Sequence, residues 1–239
     1  SSISDIISSV EVLNDSPILG DIRIPSSEEL RHRAESHFAA QSRAVTTSDY
    51  KALLYKMSGQ FGSIKRCHLT QDADSFKRNL NIYVVSESDT GKLIRTPNTI
   101  KNNAKTWLNH YKMINDTIDI LDARIVNLGI EFEVFTRSDS HRLAVLEQAT
   151  SILSNFYRGQ YFDIGENFKI TDVYKILNAV PGVTDTTKVK IIRKTGLEYA
   201  STYMSIEENR TPDGRAIKCP DNVIFEIKFP RQDIRGTVK

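Results

Sequence analysis

The chain has 239 residues, of which 39% are apolar and 26% charged, with 32 Lys and Arg against 30 Asp and Glu for a formal charge of +2. A chain of this size buries a core without disulfides or metals, its near-neutral balance argues against a general nucleic-acid binder, and a highly acidic disordered chain is excluded. No run approaches the roughly 20 apolar residues of a membrane span, and no signal peptide opens the chain.

Ser1 to Ile24 is polar with scattered Ile and Val, and Ser1 to Asp21 reads as the middle of something, so a piece of a longer polypeptide is expected. Pro25 precedes Ser26-Ser27-Glu28-Glu29, a capping-box pattern that predicts a helix through about Ala40. Thr46-Thr47-Ser48-Asp49 offers another start, and Tyr50, Leu53, Leu54 and Met57 then share one face of a helix over Ser48 to Met57. Gly59 and Gly62 end it. Ile64 to Thr70 and Leu80 to Ser86 are predicted strands, joined by the polar connection Asp72 to Asn79.

Thr96-Pro97 starts a further helix with Pro97 in its first position, and Ile100, Ala104, Trp107, Leu108 and Tyr111 form its buried stripe. Ile118 to Val126 is β-like. In the strand that follows, Leu128, Ile130, Phe132 and Val134 face inward, Glu131 and Glu133 face outward, and Gly129 marks a bulge or a bend.

Ser138 or Ser140 caps a predicted helix from about His141 to Tyr157, with Val145, Ala149, Ile152, Leu153 and Phe156 as its apolar stripe and Gly159 at its end. A short strand near Tyr161 to Ile164, a helix over Thr171 to Val180 stopped by Pro181-Gly182, and a strand over Val183 to Arg193 follow. After the polar stretch Thr195 to Pro220, Val223, Phe225, Ile227 and Phe229 alternate as a final strand.

These elements predict an α+β fold of small antiparallel or mixed sheets with helices on one face, arranged as ferredoxin-like units in tandem. Residues 1–45 are the end of a preceding region with a linking helix, 46–137 a first α+β unit, and 138–239 a second unit with a C-terminal strand. The second half loosely echoes the first without a sequence repeat.

Catalytic patterns are not found. Gly59-Gln60-Phe61-Gly62 lacks the lysine and spacing of a phosphate loop, and no nucleophile elbow, paired-His zinc helix or EF-hand occurs. Cys67 and Cys219 are far apart and lack metal-ligand spacing; two free thiols suit a reducing compartment. Asn115-Asp116-Thr117 and Asn209-Arg210-Thr211 are chance-level glycosylation triplets.

Among the histidines, His32 and His37 are five apart and do not share a helix face, and His110 belongs to no pattern. Cys67-His68 reads as a core cysteine beside a surface histidine, because strand neighbours point to opposite faces. Asp119 and Asp122 read as charges solvating an edge strand rather than an acid–base pair. Asp139 near His141 reads as negative charge at a helix start. Lys188, Lys190, Arg193 and Lys194 read as a solvated strand face, and Tyr83 alone does not make the aromatic pair of an RNA-binding sheet. No catalytic, cofactor-binding or metal residue is assigned, and the expectation is a protein that is not an enzyme.

Two stretches are more specific than any of these. Ser26-Ser27-Glu28-Glu29-Leu30-Arg31-His32-Arg33-Ala34 leads, after a helix, to Ser42-Arg43-Ala44-Val45-Thr46-Thr47-Ser48-Asp49-Tyr50, and Leu177-Asn178-Ala179-Val180-Pro181-Gly182-Val183-Thr184-Asp185 comes later. The first resembles the "E-x-L-R-x-R-A" and "R-A-V-T-x-x-D-Y" segments of the baseplate J-like family of contractile phage tails, and the second its "x-x-V-x-G-V-x-D" segment. The resemblance covers roughly Gly20 to Gly196, and within the family it is closest in style to the C-terminal part of the wedge proteins of T4-like phages. It implies a structural baseplate component in the virion tail, assembled in the host cytoplasm. Such a component joins wedges into a ring around the tail tube and takes part in the rearrangement that triggers sheath contraction. The implied partners are a second copy of the chain, as a homodimer within the ring, and other baseplate wedge proteins. No cofactor, small-molecule substrate or membrane is implied, and nucleic acid is not expected. The alternatives are a ring subunit of a related contractile injection system and a nucleic-acid-binding α+β module.

Overall fold

The computed structural model describes residues 27, 31, 43–72, 78–136, 141–158 and 162–239. Ser27 and Arg31 are helical and exposed. The remainder of the capping pattern at 26–29 lies outside the described residues, as do His32, His37, Ser138, Asp139, Ser140, Gly159 and Tyr161. Among the described residues the chain forms five helices and ten strands.

Helix α1 (Thr47–Tyr55) starts one residue earlier than the expected Ser48 and ends two residues before the expected Met57. The Thr46 hydroxyl accepts the Asp49 amide at 3.2 Å, and the Asp49 carboxylate accepts the amides of Thr46 at 2.8 Å and Val45 at 3.1 Å. Burial opposes charge on Asp49, but these amides outweigh it and hold the carboxyl below its ordinary range. The reciprocal cap satisfies donors that a helix start otherwise leaves open. Tyr50, Leu53 and Leu54 then enter the core together.

Strands β1 (Arg66–Gln71) and β2 (Arg78–Glu87) pair antiparallel. The two-residue β3 (Leu93–Ile94) also pairs antiparallel with β2. Helix α2 (Asn98–Asn109) returns the chain to β4 (Asp116–Asp122), which runs parallel to β2. Pro97 caps α2 from just outside rather than occupying its first turn. Leu80, Ile82 and Val84 on β2 pack with α1 and α2, while Tyr83 and Val85 face the other way, into the second core. The Trp107 indole donates to Leu53 O at 2.9 Å, tying α2 to α1.

The sequence expectation of one strand from Ile118 to Val126 differs from the structure. The chain leaves the first sheet after Asp122, and β5 (Arg124–Thr136) begins a second sheet. The chain thus passes from one sheet to the other near Ala123. Strand β5 pairs antiparallel with β7 (Val183–Arg193) and parallel with β9 (Val223–Glu226) and β10 (Ile234–Val238). The register slips fall between Glu133 and Val134 and between Phe135 and Thr136, not at Gly129. Gly129 is a close approach instead: a Cβ there would lie 2.4 Å from Lys194 Cε and 3.0 Å from Asp233 O.

Helix α3 (Arg142–Tyr157) packs on β10, and α4 (Ile170–Asn178) packs on β7. Both cover the face that carries Leu128, Ile130, Phe132 and Val134. The expected stripe of α3 is corrected in part: Val145, Ala149 and Leu153 are buried, but Ile152 and Phe156 are exposed while Ser154 and Tyr157 take their place inside. Short strands β6 (Phe168–Lys169) and β8 (Ala216–Ile217) form a small separate ladder. No described residue between Tyr157 and Phe168 is in a strand, although Phe162 and Ile164 are buried. The expected final strand with Val223, Phe225, Ile227 and Phe229 stops at Glu226, and a one-turn helix α5 (Pro230–Asp233) then leads into the last strand, β10. The α+β class, with small mixed sheets and helices packed on one face of each, holds.

Candidate interaction surface

The side chains considered for chemistry do not assemble. His68, His110 and His141 sit on a strand, a helix end and a helix start, and no cluster of three potential metal ligands occurs among the described residues. Burial pushes the Cys67 thiol up to about 11 and the Cys219 thiol up to about 12, so both are poor nucleophiles near neutrality. His68 is half-buried, and burial, then Lys51, lowers its pKa. Asp119 pairs with Lys105 at 3.5 Å, whereas Asp122 accepts from Arg95 and Lys101 at 2.5 and 2.9 Å. The two carboxylates thus serve different partners on an edge strand. Tyr83 is half-buried against the second core.

The four basic residues of β7 and its end do not share one face. Lys188 and Lys190 point out of the sheet. Arg193 lies on the opposite side, donating to Thr202 O at 3.0 Å with its guanidinium 4.8 Å above the Tyr203 ring. Lys194 reaches toward the buried Asp233, at 3.8 Å. Asp233 also accepts from the Tyr199 hydroxyl at 2.6 Å and the Phe229 amide at 2.9 Å. Burial and then Asp233 push the Tyr199 hydroxyl up to about 12.

What the fold does build is an open sheet face. With α3 and α4 on one side of the second sheet, the outward residues of β7, β5 and β10 line up across the strands. Lys190 lies opposite Glu131 and Glu131 opposite Arg235; Lys188 lies opposite Glu133 and Glu133 opposite Thr237. Lys239 completes the second row, its ammonium 2.9 Å from Glu133. Opposite charges directly across a ladder stabilise modestly, by roughly 0.2–1 kcal/mol each. The arrangement leaves four cations around two carboxylates in a concavity of about 530 Å³. Beside it, a second groove of about 620 Å³ runs between α3 and the outer edge of β10.

No protein-family model matches the sequence, and no curated protein is similar to it at a significant level. A solved structure shares the fold. A chain of the anti-feeding prophage baseplate, determined by cryo-EM with 6-fold symmetry, superposes with a TM-score of 0.52 at 14% identity over 84% of this chain. The match spans 41% of that chain. At this identity the likeness is one of fold.

The two recognisable sequence segments turn out to hold the fold together. In the first, Ala44 donates to Tyr111 O at 2.9 Å, Thr46 and Asp49 form the cap of α1, and the Tyr50 hydroxyl donates to Asp116 Oδ2 at 2.6 Å. In the second, Gly182 adopts a left-handed φ of 92°, Val183 donates to Val180 O at 3.2 Å, and the Thr186 hydroxyl donates to Asn178 Oδ1 at 2.5 Å. That turn converts α4 into β7. The edge of β10 and the charge rows of the outer face carry no local sequence signal. The alternation Arg235, Thr237, Lys239 was available, but Gly236 interrupts it.

Proposed function

We propose that the chain is a structural subunit of the baseplate of a contractile tail, without catalytic activity of its own. The observation that carries this reading is the shared fold with a baseplate chain over 84% of the present sequence. The family-like segments at 43–50 and 177–185 support it independently, since both are helix starts and turns rather than sites of chemistry.

In this reading the protein is a wedge component of a phage virion, similar to the wedge proteins of T4-like phages. It joins neighbouring wedges into a ring around the tube, contacts other wedge proteins and a second copy of itself, and assembles in the host cytoplasm. Contraction then repacks its interfaces between two assembled states, without substrate or cofactor. The closely joined pair of sheets suits such a role, because a rigid body transmits displacement at one interface to another.

Sedimentation velocity across a concentration series tests the self-contact. A dimer that grows with concentration supports the ring arrangement; a monomer at the highest concentration removes it. A second reading, a ring subunit of a contractile injection system rather than a phage, is favoured by the identity of the structural neighbour. The genes beside this one separate the two: capsid and terminase genes mark a phage.

A further inference from the structure

The outer edge of β10 is unpaired among the described residues, yet it is neither short of a groove nor blocked. Lys239 donates its amide to Val134 O at 3.0 Å. By strand alternation, the amides and carbonyls of Gly236 and Val238 then face away from β5. An open edge of this kind is a template for another strand unless a protein covers or twists it. Beside the edge, the groove between α3 and β10 is lined by Leu146, Glu147, Thr150, Ser151 and Gly236.

Two observations say what would lie there. The backbone groups facing out of β10 include both donors and acceptors, so their complement is another polypeptide backbone; nucleic-acid phosphates offer acceptors only. The side chains on the outward face of the edge are Arg235, Thr237 and Lys239, with Lys188 and Lys190 behind them on β7 and, among the described residues lining that concavity, Glu131 and Glu133 as counter-charges. A second copy placed edge to edge would bring the same cations to its own face, which is repulsive.

We propose that β10 captures an extended acidic segment of another polypeptide, which adds to the sheet as a further strand. Main-chain hydrogen bonds to Gly236 and Val238 supply the pairing. Alternate Asp or Glu side chains meet Arg235 and Lys239 on the outer face, while the residues between them enter the groove beside Leu146 and Thr150. Strand addition of this type takes its affinity from the backbone and its selectivity from alternate side chains. The inference stands on the geometry of the sheet and goes beyond the baseplate reading.

The test is fluorescence anisotropy with the full 239-residue chain and a fluorescein-labelled octapeptide that alternates Glu with Val and Thr. Saturable binding is expected. It should weaken at least tenfold for Val238→Pro, which removes an outward donor without touching the ladder to β5. It should weaken similarly for Arg235→Gln with Lys239→Gln. A peptide N-methylated at every second amide should also lose at least tenfold, a readout that does not depend on any protein variant folding. The proposal is overturned if the parent peptide fails to bind or the N-methylated peptide binds as tightly as the parent. It is also overturned if single-stranded oligothymidine binds as well and ignores Val238→Pro, or if Val238→Pro turns a dimer of the chain into monomers in sedimentation.

Discussion

Glu226, on the second sheet, accepts a hydrogen bond from the backbone amide of Leu93, on the first, at 2.8 Å. Its other oxygen accepts from the Asn127 side chain at 2.7 Å, and Asn127 in turn accepts the Ala200 amide at 2.7 Å. One buried carboxylate therefore joins strands β3, β9 and β5 and the long segment after β7. The alternation of Val223, Phe225 and Ile227 reads Glu226 as solvent-facing; it is 8% exposed, because β9 is covered on both sides. Burial raises the Glu226 pKa, and the bonds from Leu93 and Asn127 only partly offset it.

Glu226→Ala should destabilise the protein by about 2–5 kcal/mol in urea unfolding, since it leaves two buried donors without this acceptor. The pH dependence has a definite sign. A carboxyl whose folded pKa is raised binds protons more readily in the folded state, so its effect on stability grows more favourable as pH falls from neutrality toward the ordinary glutamate value. Glu226→Gln should remove this contribution. Comparing the pH slope of unfolding free energy between the two proteins just above the ordinary glutamate range checks it; identical slopes would show that Glu226 does not titrate there.

Tyr50→Phe should cost about 1–3 kcal/mol, because it deletes the 2.6 Å bond from a fully buried hydroxyl to the buried Asp116 carboxyl while keeping the ring in place. A drop in urea midpoint with an unchanged slope is the expected result. No change would mean that Tyr50 matters through its ring alone.

Thr46→Ala should cost about 1 kcal/mol, the usual loss for an N-cap. Asp49 is the pH-sensitive half of the same cap. Its carboxyl is held below the ordinary aspartate range, so its stabilisation is complete above the ordinary value and is lost as pH falls through the depressed one. Asp49→Asn should flatten that acid limb in thermal melts followed by circular dichroism.

Gly236→Ala should destabilise by about 1–3 kcal/mol through overpacking, because the added Cβ would lie 2.3 Å from Phe132 Cζ and 2.7 Å from Leu146 Cδ1. Phe132→Leu costs stability by itself, but the double variant should recover part of the loss. A double-mutant cycle measures that coupling, and strict additivity would place the strain elsewhere.

Much of the local structure was legible in the sequence. The Thr46-Asp49 cap is a local pattern of four residues, and Val183–Arg193 is found with the bounds its composition suggests. The burial of Cys67 follows from strand alternation. What was missed depends on distant partners. The run Ile118 to Val126 contains no glycine or proline to mark a break, and pairing with β2 on one side of Ala123 and β9 on the other divides it. Ile152 and Phe156 have helical spacing with Leu153, but β10 meets α3 on the side of Val145 and Ala149. The strand β10 carries a glycine at its centre for the sake of Phe132, a reason that lies about a hundred residues earlier in the chain. The same holds for the interaction surface: the alternation of β7 marks Lys188 and Lys190 as exposed, but their alignment with Glu131, Glu133 and Arg235 exists only once β5 lies between β7 and β10.

The assembly role rests on one observation that can be made directly. Cryo-EM of the native contractile particle, with the protein labelled at a surface loop, should place it in the ring at the base of the tail, in several symmetry-related copies around the tube. Intact particles that lack the label at the baseplate, while the protein is found free of them, would contradict it.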